Sequence, residues 1–158
     1  MGQSTDGQIC FGIMIDEGAE PFPWDEDDED GYGDIDEWWM KINGYTPPFE
    51  IWEENSAEYL PGVTEEMRDE YYTHRREWKK ANPLPVELVH HCSGDYPMYI
   101  IALPETYKNA SRGYPEPLEL TDFEVSAERA MELVHFCEKY GIDIGEEYPR
   151  WWLSSYWG

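Results

Sequence analysis

Residues Asp16–Glu37, DEGAEPFPWDEDDEDGYGDIDE, hold twelve carboxylates in twenty-two positions and no Lys or Arg. Six of the twelve are consecutive, Asp25 to Asp30. An ionised carboxylate loses several kcal/mol of solvation in a protein interior. The block therefore faces water, a cation or a strongly basic partner, and any core is built by the rest of the chain. Gly18, Pro21, Pro23, Gly31 and Gly33 keep the stretch irregular. The sequence predicts one domain over residues 1–158 that carries an acidic loop at 16–37.

Aromatic residues make up 16% of the chain, which argues against disorder, a state that goes with few aromatics. The formal charge is −24, with seventeen acids before residue 60 against one base, Lys41. DNA and anionic membranes need a basic footprint, so no direct nucleic-acid or membrane partner is expected. Four of the eleven bases, Arg75, Arg76, Lys79 and Lys80, fall within six residues. They are expected to stabilise a helix end and to pair with nearby carboxylates. Cys10, Cys92 and Cys137 are odd in number and far apart. With no apolar leader at the N-terminus, they read as reduced thiols of a cytoplasmic protein.

The remaining segments read as α+β: a small, mostly antiparallel sheet of about four strands with about three helices packed on one face. Residues 8–15 form a strand with Gly12 as a bulge. A short helix starts at Asp34, which caps it with Glu37 at the third position. Ile35, Trp38, Trp39 and Ile42 give it a helical apolar stripe, and Gly44 ends it. Thr64 caps a second helix to about Lys80, with Met67, Tyr71, His74 and Trp78 on its apolar face. Residues 86–92 and 97–103 flank a turn at 93–95. Residues 104–117 form a polar loop, and Leu118–Leu120 add an edge strand. A third helix runs from Ser126 to Gly141, with Ala130, Leu133, Val134 and Cys137 inward and Ile142 closing a Schellman motif. Residues 151–157 form a last strand.

No catalytic constellation emerges. A calcium loop counted from Glu26 gives Glu26, Asp28, Asp30, Gly31, Asp34 and Glu37 near the required positions. Its first residue is Glu, its eighth is Gly33, and prolines forbid an entering helix. His90, His91, Cys92, His135 and Cys137 include two-residue spacings, but His135 and Cys137 lie about 200° apart on a helix, so zinc is not expected. No Gly-rich phosphate loop or nucleophile motif is present. The chain reads as a non-enzyme without metal or cofactor. Trp38–Trp39 and Trp151–Trp152 read as core and near-core packing.

The strings DGQICFGI, EGAEPFPW, WWMKINGY, FCEKYGI and WWLSSYWG together resemble small acidic proteins encoded by bacteriophages. The composition resembles phage host-defence inhibitors, the anti-restriction and anti-CRISPR proteins that mimic nucleic acid. The resemblance implies a bacterial host cytoplasm and a basic nucleic-acid-binding partner, a CRISPR surveillance complex or a restriction enzyme. The carboxylates expected to meet it are Asp25, Glu26, Asp27, Asp28, Glu29 and Asp30, supported by Asp34, Asp36, Glu37, Glu53 and Glu54. The alternative is an adaptor or regulatory module that binds through an aromatic surface, with acidity for solubility. Adaptation to high salt would spread the acids evenly, and here they are concentrated.

Overall fold

The structure, a computed structural model of the chain, describes residues 5–16, 19, 21–25, 33–53, 58–93, 95 and 97–157. The chain divides into two compact units, residues 34–84 and the remainder. Its class is α+β, with three α-helices and a five-stranded mixed sheet among the described residues.

The sheet belongs to the larger unit. Its strands are β1 (Thr5–Met14), β2 (Glu87–Ser93), β3 (Pro97–Ala102), β4 (Lys108–Ala110) and β5 (Arg150–Trp157), in the order β3-β2-β5-β1-β4. One edge of β1 pairs with β5 along Thr5–Gly12. The other edge pairs with β4 at Gly7–Ile9 and with β3 at Gly12–Met14. The pairings thus run β1–β5–β2–β3 and return to β1. All are antiparallel except β2 with β5, which are parallel at Cys92–Ser93. Cys92, where β2 meets β5, stands in the left-handed region at φ 72°, which costs a non-glycine residue roughly 1–2 kcal/mol.

One strand more is present than the sequence predicts, because the loop expected at 104–117 contains β4. The expected edge strand at Leu118–Leu120 does not form. Leu120 instead opens a 3-10 turn, Leu120–Phe123, in which Glu119 and Asp122 cap each other reciprocally. That local solution satisfies the backbone without a strand partner. Gly12 is not a bulge, since it stays in register with both Ala102 and Arg150. An added Cβ there would lie 2.5 Å from the Ile101 carbonyl oxygen, so the position is one of close backbone approach.

Alternation along the strands sorts the faces. Cys10, Val89, Ile100 and Ala102 form a buried cluster, flanked by Met14, Tyr107 and Trp152. The Trp152 indole donates to the Gly12 carbonyl at 3.0 Å. Burying an aliphatic side chain of this size stabilises by about 1.5–3 kcal/mol. Buried Gln8 sits among them, donating to the Tyr107 hydroxyl at 3.4 Å and accepting from Ser154 at 3.3 Å.

Helix α3 (Ala127–Tyr140) is capped by Ser126, whose hydroxyl accepts from the Arg129 amide. It buries Leu133, Phe136 and Cys137. Its end is a Schellman pair, with Gly141 N–H donating to Glu138 O and Ile142 N–H to Cys137 O. Arg129 also pairs with Glu105 at 2.8 Å.

In the smaller unit, α1 (Ile35–Ile42) and α2 (Glu65–Ala81) start at Asp34 and Thr64, both as expected. The α1 stripe differs from its periodicity. Trp38 and Met40 are buried, Trp39 is half-buried and Ile42 is exposed. Met40 lies about 200° around the helix from Trp38, so α1 is covered on two sides. On α2 only Tyr71 is buried, and His74 is exposed. The Thr64 cap and the acid-first, base-last charge order favour this helix, and Tyr71 with half-buried Met67 and Trp78 ties it to the rest of its unit.

Candidate partner-binding site

The acidic run begins at a turn set by aromatic residues. Phe22 and Trp24 are buried, stacked at 4.5 Å and 14°, and Phe22 meets the edge of Tyr99 on β3 at 5.3 Å. The Asp25 amide donates to Phe22 O at 2.9 Å, and an Asp25 carboxylate oxygen accepts from the Phe22 amide at 3.2 Å. Asp25 is therefore tied to the turn. The chain returns at Gly33 to the same place. A Cβ added to Gly33 would lie 1.7 Å from the Trp24 carbonyl oxygen and 3.0 Å from the Asp25 nitrogen. Residues 25 and 33 thus form the two sides of a closed base. Glu26, Asp27, Asp28, Glu29 and Asp30, the centre of the predicted site and most of the calcium-like pattern, lie outside the described residues, as does Glu54.

In the smaller unit the supporting carboxylates have work inside the fold. An Asp34 oxygen accepts from the amides of Asp36 and Glu37, at 2.7 and 3.2 Å. The Asp36 carboxylate pairs with Lys79 at 2.7 Å, and Glu37 pairs with Arg75. The basic cluster of α2 thereby neutralises the first turn of α1, as its charge pattern suggests. Burial works to lower the Arg75 pKa, but the Glu37 hydrogen bond and charge outweigh it, so the guanidinium is held more firmly protonated. Partly exposed pairs of this kind contribute about 0–1 kcal/mol each. The Trp39 indole adds a 3.0 Å bond to the Asn82 carbonyl, and Tyr45 packs edge-on against Trp78 at 5.5 Å. Glu53 is half-buried beside the Trp52–Tyr59 bridge, and its amide donates to Glu58 O. Along α2, Asp69, Tyr72, Thr73, Arg75, Arg76 and Lys79 line a groove of about 650 Å³.

The groups suited to chemistry are quiet. Burial pushes the thiols of Cys10 and Cys137 up to about 12, which leaves them protonated and poorly nucleophilic at neutral pH. Burial lowers His90 and His91 below the usual imidazole range. His90 meets the Tyr99 ring edge-on at 4.9 Å. His135 is exposed while Cys137 is buried, so the two do not converge. Among the described residues no three His, Cys, Asp or Glu side chains are grouped to hold a metal ion. No helix among them is long and apolar enough to cross a membrane. A shallow pocket of about 290 Å³ is lined by Gln8, Glu87, His90, Tyr107 and Tyr156, among others. Of the aromatic pairs, Trp38 is buried, Trp39, Trp151 and Trp152 are half-buried, and Trp152 packs against the Cys10 cluster.

No family model, curated protein or solved structure matches the chain. The residues that sequence reasoning passed over are Phe22, Trp24 and Gly33. Their signal is an apolar Pro-Phe-Pro-Trp string inside a carboxylate-rich stretch, where apolar residues have no use except as anchors.

Proposed function

We propose that the protein inhibits a host nucleic-acid-binding defence complex of the anti-CRISPR or anti-restriction type. It acts as an acidic mimic of DNA or RNA that occupies a Lys/Arg-rich surface. The observation that carries the reading is the concentration of charge, six consecutive carboxylates in a chain of net charge −24. Duplex DNA presents one charge per ~1.7 Å of axis, and proteins bind it with basic grooves that release counterions. A carboxylate run of similar density offers such grooves an alternative that need not be opened or bent, and opposite fields speed the encounter. In this reading Asp25–Asp30 make the contact in the bacterial cytoplasm, and the inhibitor is not an enzyme. Asp34, Asp36 and Glu37 serve mainly to position the loop's exit, because their oxygens are engaged by the α1 cap, Lys79 and Arg75.

The test is a salt titration of the complex, with wild type beside a variant in which Asp25–Asp30 become Asn and Gln. The reading expects affinity to fall steeply with ionic strength and the variant to bind at least a hundredfold more weakly while remaining folded. An unchanged dissociation constant in the variant rules the acidic run out. A flat salt response favours an adaptor held by apolar contacts, which salt does not screen.

A further inference from the structure

We propose that the outer face of the β1–β5 pair, extended by the turn Leu120–Phe123, is a docking surface for a protein segment carrying apolar anchors flanked by Lys or Arg. Ile9 pairs across the sheet with Leu153, and Phe11 with Trp151. These four alternate with Cys10 and Trp152, which point into the core, and so they share the opposite face. Phe11 meets Trp151 edge-on at 5.6 Å, and Phe123 meets the same ring at 5.0 Å. In a 3-10 turn residues i and i+3 superpose, so Leu120 continues the row that Phe123 begins. At one end the same face of β1 continues into buried Ile13, and Ile9, Phe11 and Trp151 are half-buried; the row is open at its other end. Leu153 is 84% exposed and Leu120 89% exposed.

Single exposed leucines are ordinary on a protein surface, but contiguous apolar positions mark interaction sites. This one is pre-shaped. The Glu119–Asp122 capping box fixes the turn, and Lys108 on β4 holds Asp122 at 2.7 Å. The order of the segment is therefore already present before a partner arrives, which lowers the entropy lost on binding.

Charge complementarity selects the occupant. Glu116, Glu119 and Glu124 are exposed along the same segment, and the only bases between Lys108 and Arg129 are those two and Arg112. Lys108 is already paired with Asp122, and Arg129 with Glu105. A second copy would set these acids against themselves across a two-fold axis on chains of charge −24. A basic segment with Leu or aromatic anchors meets both the leucines and their rim. This surface uses none of the residues Asp25–Asp30, so it does not rest on the mimic reading.

The probe is a short synthetic peptide with Leu and Trp anchors flanked by Lys, titrated at about 0.15 M salt into isotope-labelled protein. Two control peptides replace the anchors by Ser at constant charge, or each Lys by Glu. Amide signals of residues 118–123 and 151–155 are expected to shift with the first peptide. Both control peptides, and the variant Leu120→Ser/Leu153→Ser, are expected to weaken binding tenfold or more. Because both leucines are exposed, the variant keeps the wild-type thermal midpoint. A milder pair, Leu120→Gln/Leu153→Thr, repeats the measurement should the first misfold. Equal binding by the Ser peptide, undiminished binding by the variants, or shifts confined to other surfaces overturns the proposal. So does a concentration-dependent dimer in sedimentation that Leu153→Ser abolishes, which would make a second copy the occupant.

Discussion

Gly33→Ala is the sharpest test of the closed base beneath the acidic run. The new Cβ would sit 1.7 Å from the Trp24 carbonyl oxygen, and Cβ contacts under 3.0 Å essentially never occur, so the two chain segments must part by about 1.3 Å. The obstacle is backbone, which cannot rotate aside as a long side chain does. If the base holds, the strain should resemble overpacking, roughly 1–3 kcal/mol. If it opens instead, the loss is the close backbone approach of residue 33 to Trp24 and Asp25. Either way the urea midpoint falls. The assay is urea unfolding, with the Trp24 indole and Asp25 amide followed by NMR and hydrogen exchange. Gly7→Ala is the control, since nothing lies within 4 Å of its added Cβ. In the mimic reading, partner affinity falls as well, because a spread base leaves the loop to be ordered at about 1–2 kcal/mol of backbone entropy per residue. A Gly33→Ala protein within about 0.3 kcal/mol of wild type, well inside the 1–3 kcal/mol expected of overpacking, and with unaltered Trp24 and Asp25 signals, would refute the reasoning.

Trp38→Ala removes a buried indole from α1 and should cost about 3–5 kcal/mol; in the mimic reading partner binding weakens as well, through lost positioning of Asp34, and retained affinity with unchanged exchange at residues 33–37 contradicts this. The thiols of Cys10 and Cys137 have an ordinary pKa of 9.0, raised to about 12 by burial. Their contribution to stability is thus fully present below about pH 9 and is lost as pH rises through about 12. Urea midpoints measured from pH 8.5 to 11.5 should fall less steeply in Cys10→Ala/Cys137→Ala than in wild type, and equal slopes would count against it.

What was legible in the sequence was local. Asp34, Thr64 and Ser126 cap their helices because a side-chain oxygen reaches an amide two or three residues on. Gly141 and Ile142 close α3, and the 87–102 hairpin forms, by contacts among near neighbours. The surface position of so many carboxylates follows equally from composition, through solvation alone. The charge order of α2 also foretold that Arg75 and Lys79 would find acids, though not which ones.

Tertiary structure decided whatever depends on meetings between distant segments. Hydrophobic periodicity places Ile42 on the inner stripe of α1, yet burial is a property of what lies over a position, and Met40 is covered where Ile42 is not. Leu118 and Leu120 have strand-like composition, but Glu119 and Asp122 give the backbone a local cap before any neighbouring strand is offered. The return of the sheet to β1 and the parallel meeting of β2 with β5 join residues far apart in the chain. Gly12 and Gly33 are single glycines in sequence. Only the chain that crosses each of them, at Ile101 and at Trp24, makes the missing Cβ a requirement, because steric exclusion acts between atoms in space and leaves no local pattern to read.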